Sequence, residues 1–301
     1  MVGIIGEGFG LYGYLPSFIE LGYKVGVLEK SKQIIENRSE LNHFSSKLNY
    51  FESEKDLFQH CNQIVLATNP IRQESYIELL VKERPAKKLF LEKPISINPT
   101  NTSLLLDKLQ NHSINFNVGF NFFYTNWFQK VRDEISNNLR CNILIKWEFT
   151  SFFIQNEVDT WKKSRNLGGG LVNFYGVHLI SILAALNFDL VKSKELLEND
   201  QSVLWEASFK NKTHHQIKIK LNINSENEQF FIRNDENGLI LNQSKNPFSN
   251  SEIVKDKRDP RIENLKQMII SSNEVSYSNS IHILKKTNNL LAKILRTNNT
   301  N

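Results

Sequence analysis

The chain has 301 residues, with 37 lysines and arginines against 32 aspartates and glutamates, for a formal charge of +5. Hydrophobic residues at 40% and charged residues at 23% fit an ordinary globular protein, no apolar run approaches the ~20 residues of a membrane helix, and the length suits two domains. The basic residues are spread without a dense block, which argues against nucleic acid and suits an anionic small molecule.

The first predicted element is the apolar run Val2-Gly3-Ile4-Ile5, which passes straight into Gly6-Glu7-Gly8-Phe9-Gly10-Leu11-Tyr12-Gly13. About twenty residues later Val25-Gly26-Val27-Leu28 ends in Glu29. This is the layout of a nucleotide-binding βαβ unit. A dinucleotide's pyrophosphate must approach bare backbone amides at a helix N-terminus, where a Cβ would block it. Gly6, Gly8, Phe9 and Gly10 are therefore placed against the cofactor. Gly6 and Gly8 have G-x-G spacing, but the third glycine position is Leu11, with glycine displaced to Gly10 and Gly13. A carboxylate closing the second strand accepts the adenosine ribose hydroxyls and repels a 2′-phosphate, so Glu29 favours NAD. Lys30 and Ser31 would hold that phosphate if Glu29 turned away, which leaves NADP open.

Further on, residues 14–21 and 31–38 have helical patterns, and 63–68 form a β-rich run that stops at Asn69-Pro70 before a helix reaching Leu80. Residues 88–91 are a buried strand, 104–109 helical, and 117–121 another strand, read as running on through Gly119-Phe120-Asn121-Phe122-Phe123-Tyr124. Strands alternating with helices imply a doubly wound parallel sheet. From about residue 120, runs 142–153, 202–209, 215–223 and 229–232 alternate apolar with polar residues, as a sheet with one wet face does. Asn237-Gly238 is a hairpin signal. The reading is an α/β Rossmann domain over 1–118 and an α+β domain with a large open, mainly antiparallel sheet over 119–280. Residues 281–301 give a terminal helix packing back on the first domain, plus a frayed tail.

Cys61 and Cys141 are far apart and lack ligand spacing, and His214-His215 falls on opposite faces of a predicted strand, so no disulfide framework and no metal site are expected. The N-terminus is itself a strand, which leaves no room for a signal peptide and reads as cytoplasmic.

Glu92-Lys93-Pro94 follows the strand ending at Leu91, Thr68-Asn69-Pro70 follows an earlier one, and Trp161-Lys162 precedes Gly168-Gly169-Gly170 and His178. In this order the motifs resemble the Gfo/Idh/MocA family of nicotinamide-dependent oxidoreductases, over nearly the whole chain. The resemblance implies a cofactor-bearing Rossmann domain, a second domain with an open sheet, and a cleft between them. Sugars, cyclitols or nucleotide sugars are the implied substrates, and a homodimer or homotetramer the implied assembly. It places Lys93 on the reacting hydroxyl and makes His178 the proton donor and acceptor. Thr68, Asn69, Glu92 and Lys93 join the cofactor set; Asn121, Trp161, Lys162, Phe174 and Tyr175 bound the substrate pocket. The chemistry asks for such groups on its own account: hydride leaves a carbinol carbon only as the O–H proton is removed, and a cation favours charge developing on the oxygen.

Two departures stand out. The family's usual aspartate four residues before the histidine is Phe174 here, and the arginine often following Asn121 is missing. The run Gly168 to His178 resembles members linked to surface polysaccharide and unusual-sugar biosynthesis. The expected function is hydride transfer between a nicotinamide and a sugar or nucleotide-sugar carbinol or ketone. A non-catalytic NAD(P)-binding sensor and a reductase of a conjugated double bond are the alternatives.

Overall fold

A computed structural model describes residues 1–83, 88–198, 201–248, 258–273 and 277–298. These group into two compact units. The first comprises the described residues of Met1–Ser96, Thr100–Asn121 and Ile253–Ile281; the second, those of Ile97–Pro99, Phe122–Glu252 and His282–Asn301.

In the first unit β1 (Val2–Ile5), β2 (Val25–Leu28), β3 (Leu48–Phe51), β4 (Gln63–Leu66), β5 (Lys88–Leu91) and β6 (Asn115–Val118) form one parallel sheet in the order β3-β2-β1-β4-β5-β6. Between them run α1 (Leu15–Glu20), α2 (Lys32–Glu36), α3 (Glu54–His60), α4 (Pro70–Glu83) and α5 (Pro99–Asn111). β1 and β2 are buried throughout because helices cover both faces of such a sheet, which is why they read as continuous apolar runs. The strand order reverses between β1 and β4, so the crevice for a ligand lies outside the C-terminal ends of these strands. The chain after β6 turns away from the sheet: Asn121–Tyr124 is a 3₁₀ turn, not the strand continuation its aromatic run predicts. Phe120 and Phe122 are buried there as core packing.

The second unit holds α6 (Asn126–Asn137), β7 (Asn142–Thr150), α7 (Phe152–Gln155), α8 (Val177–Ala185), β8 (Asp189–Glu198), β9 (Gln201–Lys210), β10 (Gln216–Asn222), β11 (Asn224–Asn234) and β12 (Ile240–Ser244). The sheet order is β12-β11-β7-β10-β9-β8, antiparallel except for the β7–β10 pair. Both fold expectations, a doubly wound parallel sheet followed by a mainly antiparallel one, are met. Asn237-Gly238 does close a hairpin, with Gly238 at positive φ, but the connection spans 235–239 and β11 bulges at Ile232/Arg233. His214 is a left-handed turn residue before β10, so the histidine pair does not sit on opposite faces of a strand; that strand starts at Gln216.

Two helices complete the described chain: α9 (Ile262–Ser271) in the first unit and α10 (Tyr277–Asn298), described mainly with the second. It is thus α9 that returns to the glycine-turn side of the fold, where Ser17 donates to the carbonyl of Ile262. α10 joins the antiparallel half, with Lys286 donating to Asn187 at 2.5 Å and Asn298 to Glu195. The reason lies in which polar groups each helix meets, and spacing along the chain carries no trace of that. The tail beyond Asn298 lies outside the described residues.

Candidate active site

The residues expected in the site fall on both units. On the first, the chain leaves β1 through Gly6, whose φ of +131° is closed to other residues and whose missing Cβ would stand 2.2 Å from the carbonyl oxygen of Ala67. A Cβ on Gly8 would meet nothing within 4 Å, so this glycine faces open space, the room that a diphosphate against the turn's amides would fill. The following helix opens with a π turn over Gly10–Tyr14 before continuing as α1. This wider turn explains the displaced glycine. A Cβ on Gly10 would lie 3.1 Å from Ile4 and 3.4 Å from Ala67, so Gly10 provides the close helix-to-strand packing normally given by the third glycine. On these grounds the turn fits a dinucleotide.

The remaining cofactor candidates also follow the C-terminal ends of parallel strands. Glu29 and Lys30 are exposed beyond β2, with Glu29 facing Lys32 at 3.6 Å. Beyond β4, Asn69 caps α4: its Oδ1 accepts from Arg72 N–H at 3.0 Å, with Pro70 opening the helix. Thr68 donates to the Asn69 carbonyl at 3.2 Å. Beyond β5, Glu92 is buried and accepts from the Tyr14 hydroxyl at 2.9 Å, and Lys93 is half-buried. Burial raises the pKa of the Glu92 carboxyl above the usual range, against the opposing pull of Lys93, Tyr14 and Arg261. A Cβ on Gly119 would stand 2.2 Å from Glu92 Oε1, so only glycine admits this carboxylate. Asn121, expected in the substrate pocket, is buried in the first unit and donates to the Gly119 carbonyl at 3.3 Å.

Sequence reasoning missed two residues on this side. Gln73, fully buried in α4, donates from Nε2 to the Glu92 carbonyl at 2.6 Å and approaches those of Pro94 and Ile95 at 3.2 Å. Arg261, just before α9, lies 3.8 Å above the Phe9 ring while paired in bidentate fashion with Asp259. Burial disfavours its charge, but the Asp259 bonds outweigh this and hold its pKa above the ordinary value. A polar residue within α4 gave a weak signal for Gln73; nothing in sequence spacing foretold Arg261. A cavity of about 290 Å³ opens beside this turn between Tyr12, Arg38, His43 and Arg258, lined by none of the predicted site residues.

On the second unit the chain packs Gly168-Gly169-Gly170 against Trp161-Lys162. A Cβ on Gly169 would be 2.2 Å from the Trp161 carbonyl oxygen, and Gly170 N–H donates to the Lys162 carbonyl at 2.8 Å. The two motifs are therefore one packed loop. The helix that follows also opens with a π turn, Val172–Gly176, before α8. Its i→i+5 bonding displaces the 3.6-residue geometry expected there. Asn173 is accordingly buried, while Phe174 and Tyr175 are half-buried. Phe174 meets Trp161 edge-on at 5.5 Å and Tyr175 at 4.8 Å, with Lys162 Nζ 5.2 Å from its ring. Tyr175 also packs on Trp147, Phe149 and Phe153. The structure thus brings Trp161, Lys162, Phe174 and Tyr175 into one aromatic cluster with a cation on it. His178 is only 1% exposed, its imidazole 5.0 Å from the Phe122 ring and 5.4 Å from that of Phe248.

Cys61 and Cys141 are free, buried thiols pushed up to about 11 by burial, and unreactive at neutral pH. Among the described residues no group of three or more His, Cys, Asp or Glu side chains is placed to hold a metal, and no helix is long and apolar enough to cross a membrane.

Parallel order with a switch point at a glycine turn, followed by an open mixed sheet, defines a two-domain architecture whose first domain is Rossmann-like. No family model matches the chain, and no curated protein sequence matches it. Solved structures do. The chain is similar to the WlbA dehydrogenase from Bordetella pertussis in complex with NADH and UDP-GlcNAcA, at 13% identity and TM-score 0.74, over 99% of this chain and 95% of that one. It is similar to a myo-inositol dehydrogenase from Corynebacterium glutamicum at 12% identity and TM-score 0.72, over 99% and 96%. A 3-ketoreductase from Actinomadura kijaniata, in complex with NADP and TDP-benzene, matches at 12% identity and TM-score 0.69, over 99% and 97%. These likenesses establish the fold.

Proposed function

We propose that the chain is an NAD(P)-dependent oxidoreductase of the Gfo/Idh/MocA type, moving a hydride between nicotinamide and a carbinol or ketone carbon of a sugar or nucleotide-linked sugar. The observation that carries this reading is the glycine turn at the switch point of the parallel sheet, with Glu92-Lys93-Pro94 at the end of β5. The likeness to dehydrogenases crystallised with NADH or NADP and nucleotide-linked ligands supports it.

A nicotinamide dinucleotide, when bound, supplies or accepts the hydride. Gly6, Gly8, Phe9 and Gly10 receive its diphosphate, Glu29 the adenosine ribose, and Thr68, Asn69 and Glu92 its nicotinamide half. Lys93 holds the reacting oxygen and stabilises negative charge on it. His178 removes or returns the hydroxyl proton, its imidazole kept from water by the rings of Phe122 and Phe248. Trp161, Lys162, Phe174 and Tyr175 contact the substrate, with aromatic faces suited to a sugar ring. Surface-polysaccharide or unusual-sugar biosynthesis, a cytoplasmic setting and a homodimer or homotetramer complete the proposal.

A second reading, a non-catalytic dinucleotide sensor, is favoured by one observation: at 174 a phenyl ring occupies the place of the usual carboxylate. The experiment is turnover across sugars, bile pigments and imines together with calorimetry of NAD and NADP. Lys93→Ala and His178→Ala should each lower turnover by about 10²–10⁴-fold, with NAD affinity retained, and Glu29→Ala should weaken NAD more than NADP. Coenzyme binding with no turnover on any substrate leaves the sensor; failure to bind either coenzyme ends both readings.

A further inference from the structure

We propose that Gln73 is the positioning residue of the site: its side-chain amide grips the backbone on both sides of Lys93 and fixes where that lysine's ammonium is presented.

Gln73 is fully buried, and its Nε2 lies 2.6 Å from the Glu92 carbonyl oxygen and 3.2 Å from each of those of Pro94 and Ile95. An amide nitrogen has two N–H groups, so the carbonyl before Lys93 takes the short bond and the two after it share the rest. The Glu92 N–H is held in turn by the Leu66 carbonyl at 2.9 Å, and the Glu92 side chain by Tyr14. Lys93 therefore sits on backbone pinned to α4, to β4 and to the helix after the glycine turn. The amide oxygen of Gln73 finds no hydrogen-bond partner among the described residues. A side chain chosen only to fill this space would be apolar, because a buried acceptor without a partner is costly. What glutamine adds over leucine is its pair of donors, and both are spent on the lysine's mounting. A catalytic ammonium has to be held within about half an ångström of its productive place, by neighbours that are themselves held.

The assignment rests on the reading of Lys93 as the group that holds the reacting oxygen, and one arm of the test is independent of the coenzyme. The full chain, with lysines ¹³C-dimethylated, is titrated by NMR in native, Gln73→Leu and Gln73→His forms, the Lys93 resonance being identified by its loss in Lys93→Arg. Glu92, Tyr14 and Arg261, the titratable and charged neighbours of this segment, stay unchanged throughout. The leucine variant should move the Lys93 midpoint by ~0.5 pH unit or more, about threefold in its equilibrium, and broaden the resonance; histidine, which keeps a ring N–H, should restore both. In the second arm the ratio of NAD to NADH affinity should change by a similar factor in Gln73→Leu, because the oxidised ring carries a positive charge that the ammonium senses. If Gln73→Leu does not fold, Gln73→Met, equally uncharged and without donors, replaces it. A Lys93 resonance and an affinity ratio both unmoved while the melting temperature falls would overturn the proposal and leave Gln73 as filling. If neither coenzyme binds the native chain while the resonance still responds, the positioning stands and the coenzyme reading fails.

Discussion

Glu92 illustrates how much one residue's setting decides. Its carboxylate lies beneath the turn, takes the Tyr14 hydroxyl, and requires Gly119 to be bare. Burial holds its pKa above the ordinary value, so it favours the folded state most below about pH 4.3, the unperturbed glutamate value, and this contribution is lost as pH rises through the higher folded value. Glu92→Gln keeps an acceptor for Tyr14 and never ionises. Denaturant titrations should find it more stable than the native chain at neutral pH, with the gap closing as pH falls toward 4; a gap that widened on acidification would contradict the assignment. At the same scale, Gly6 is legible because its φ of +131° and its approach to the Ala67 carbonyl leave no room for another residue. Arg261 was not, because its contact with Phe9 joins positions far apart in sequence.

At the scale of elements, the departures from expectation have local causes. The helices after the glycine turn and after the glycine triplet both begin with π turns, and a period of 3.6 cannot reveal a single wide turn. α6 has a legible pattern, with Trp127, Phe128 and Val131 buried at helical spacing, whereas β8 left little trace because it is an edge strand with Val191, Leu196 and Leu197 exposed at 62%, 48% and 55%. The run after β6 looked extended because aromatic residues suit strands, yet they pack in a 3₁₀ turn. The packed loop of Trp161-Lys162 and the glycine triplet gives the clearest consequence. Gly169→Ala forces a methyl onto the Trp161 carbonyl and should cost about 1–3 kcal/mol. Thermal melting checks this, and quenching of tryptophan fluorescence should register the displaced Trp161; an alanine variant with native melting would refute the close packing.

For the whole molecule, the edge residues of β8, together with Leu239 and Ile240 at the other end of the sheet, leave apolar surface in contact with water. Isolated exposed apolar residues are common, but a row along a sheet edge invites pairing. The proposed homodimer or homotetramer predicts a mass of two or four chains by light scattering. A monomer at micromolar concentration would remove that part of the proposal.

The sequence by itself determined the alternation of buried strands and helices, the glycine turn, the motif at the end of β5 and the change to an alternating, half-wet sheet. These are local patterns, written by burial period and backbone permission in neighbouring residues. Only the tertiary structure decided that Gly10 takes over the packing of the missing third glycine, that Gln73 holds the Lys93 segment, that Arg261 covers Phe9, and that α9 and α10 part company between the two units. Each of these is a contact between segments distant along the chain. A hydrogen bond or a ring contact of that kind is set by where two surfaces meet, and neither partner's neighbours in sequence carry a period or a motif that records it.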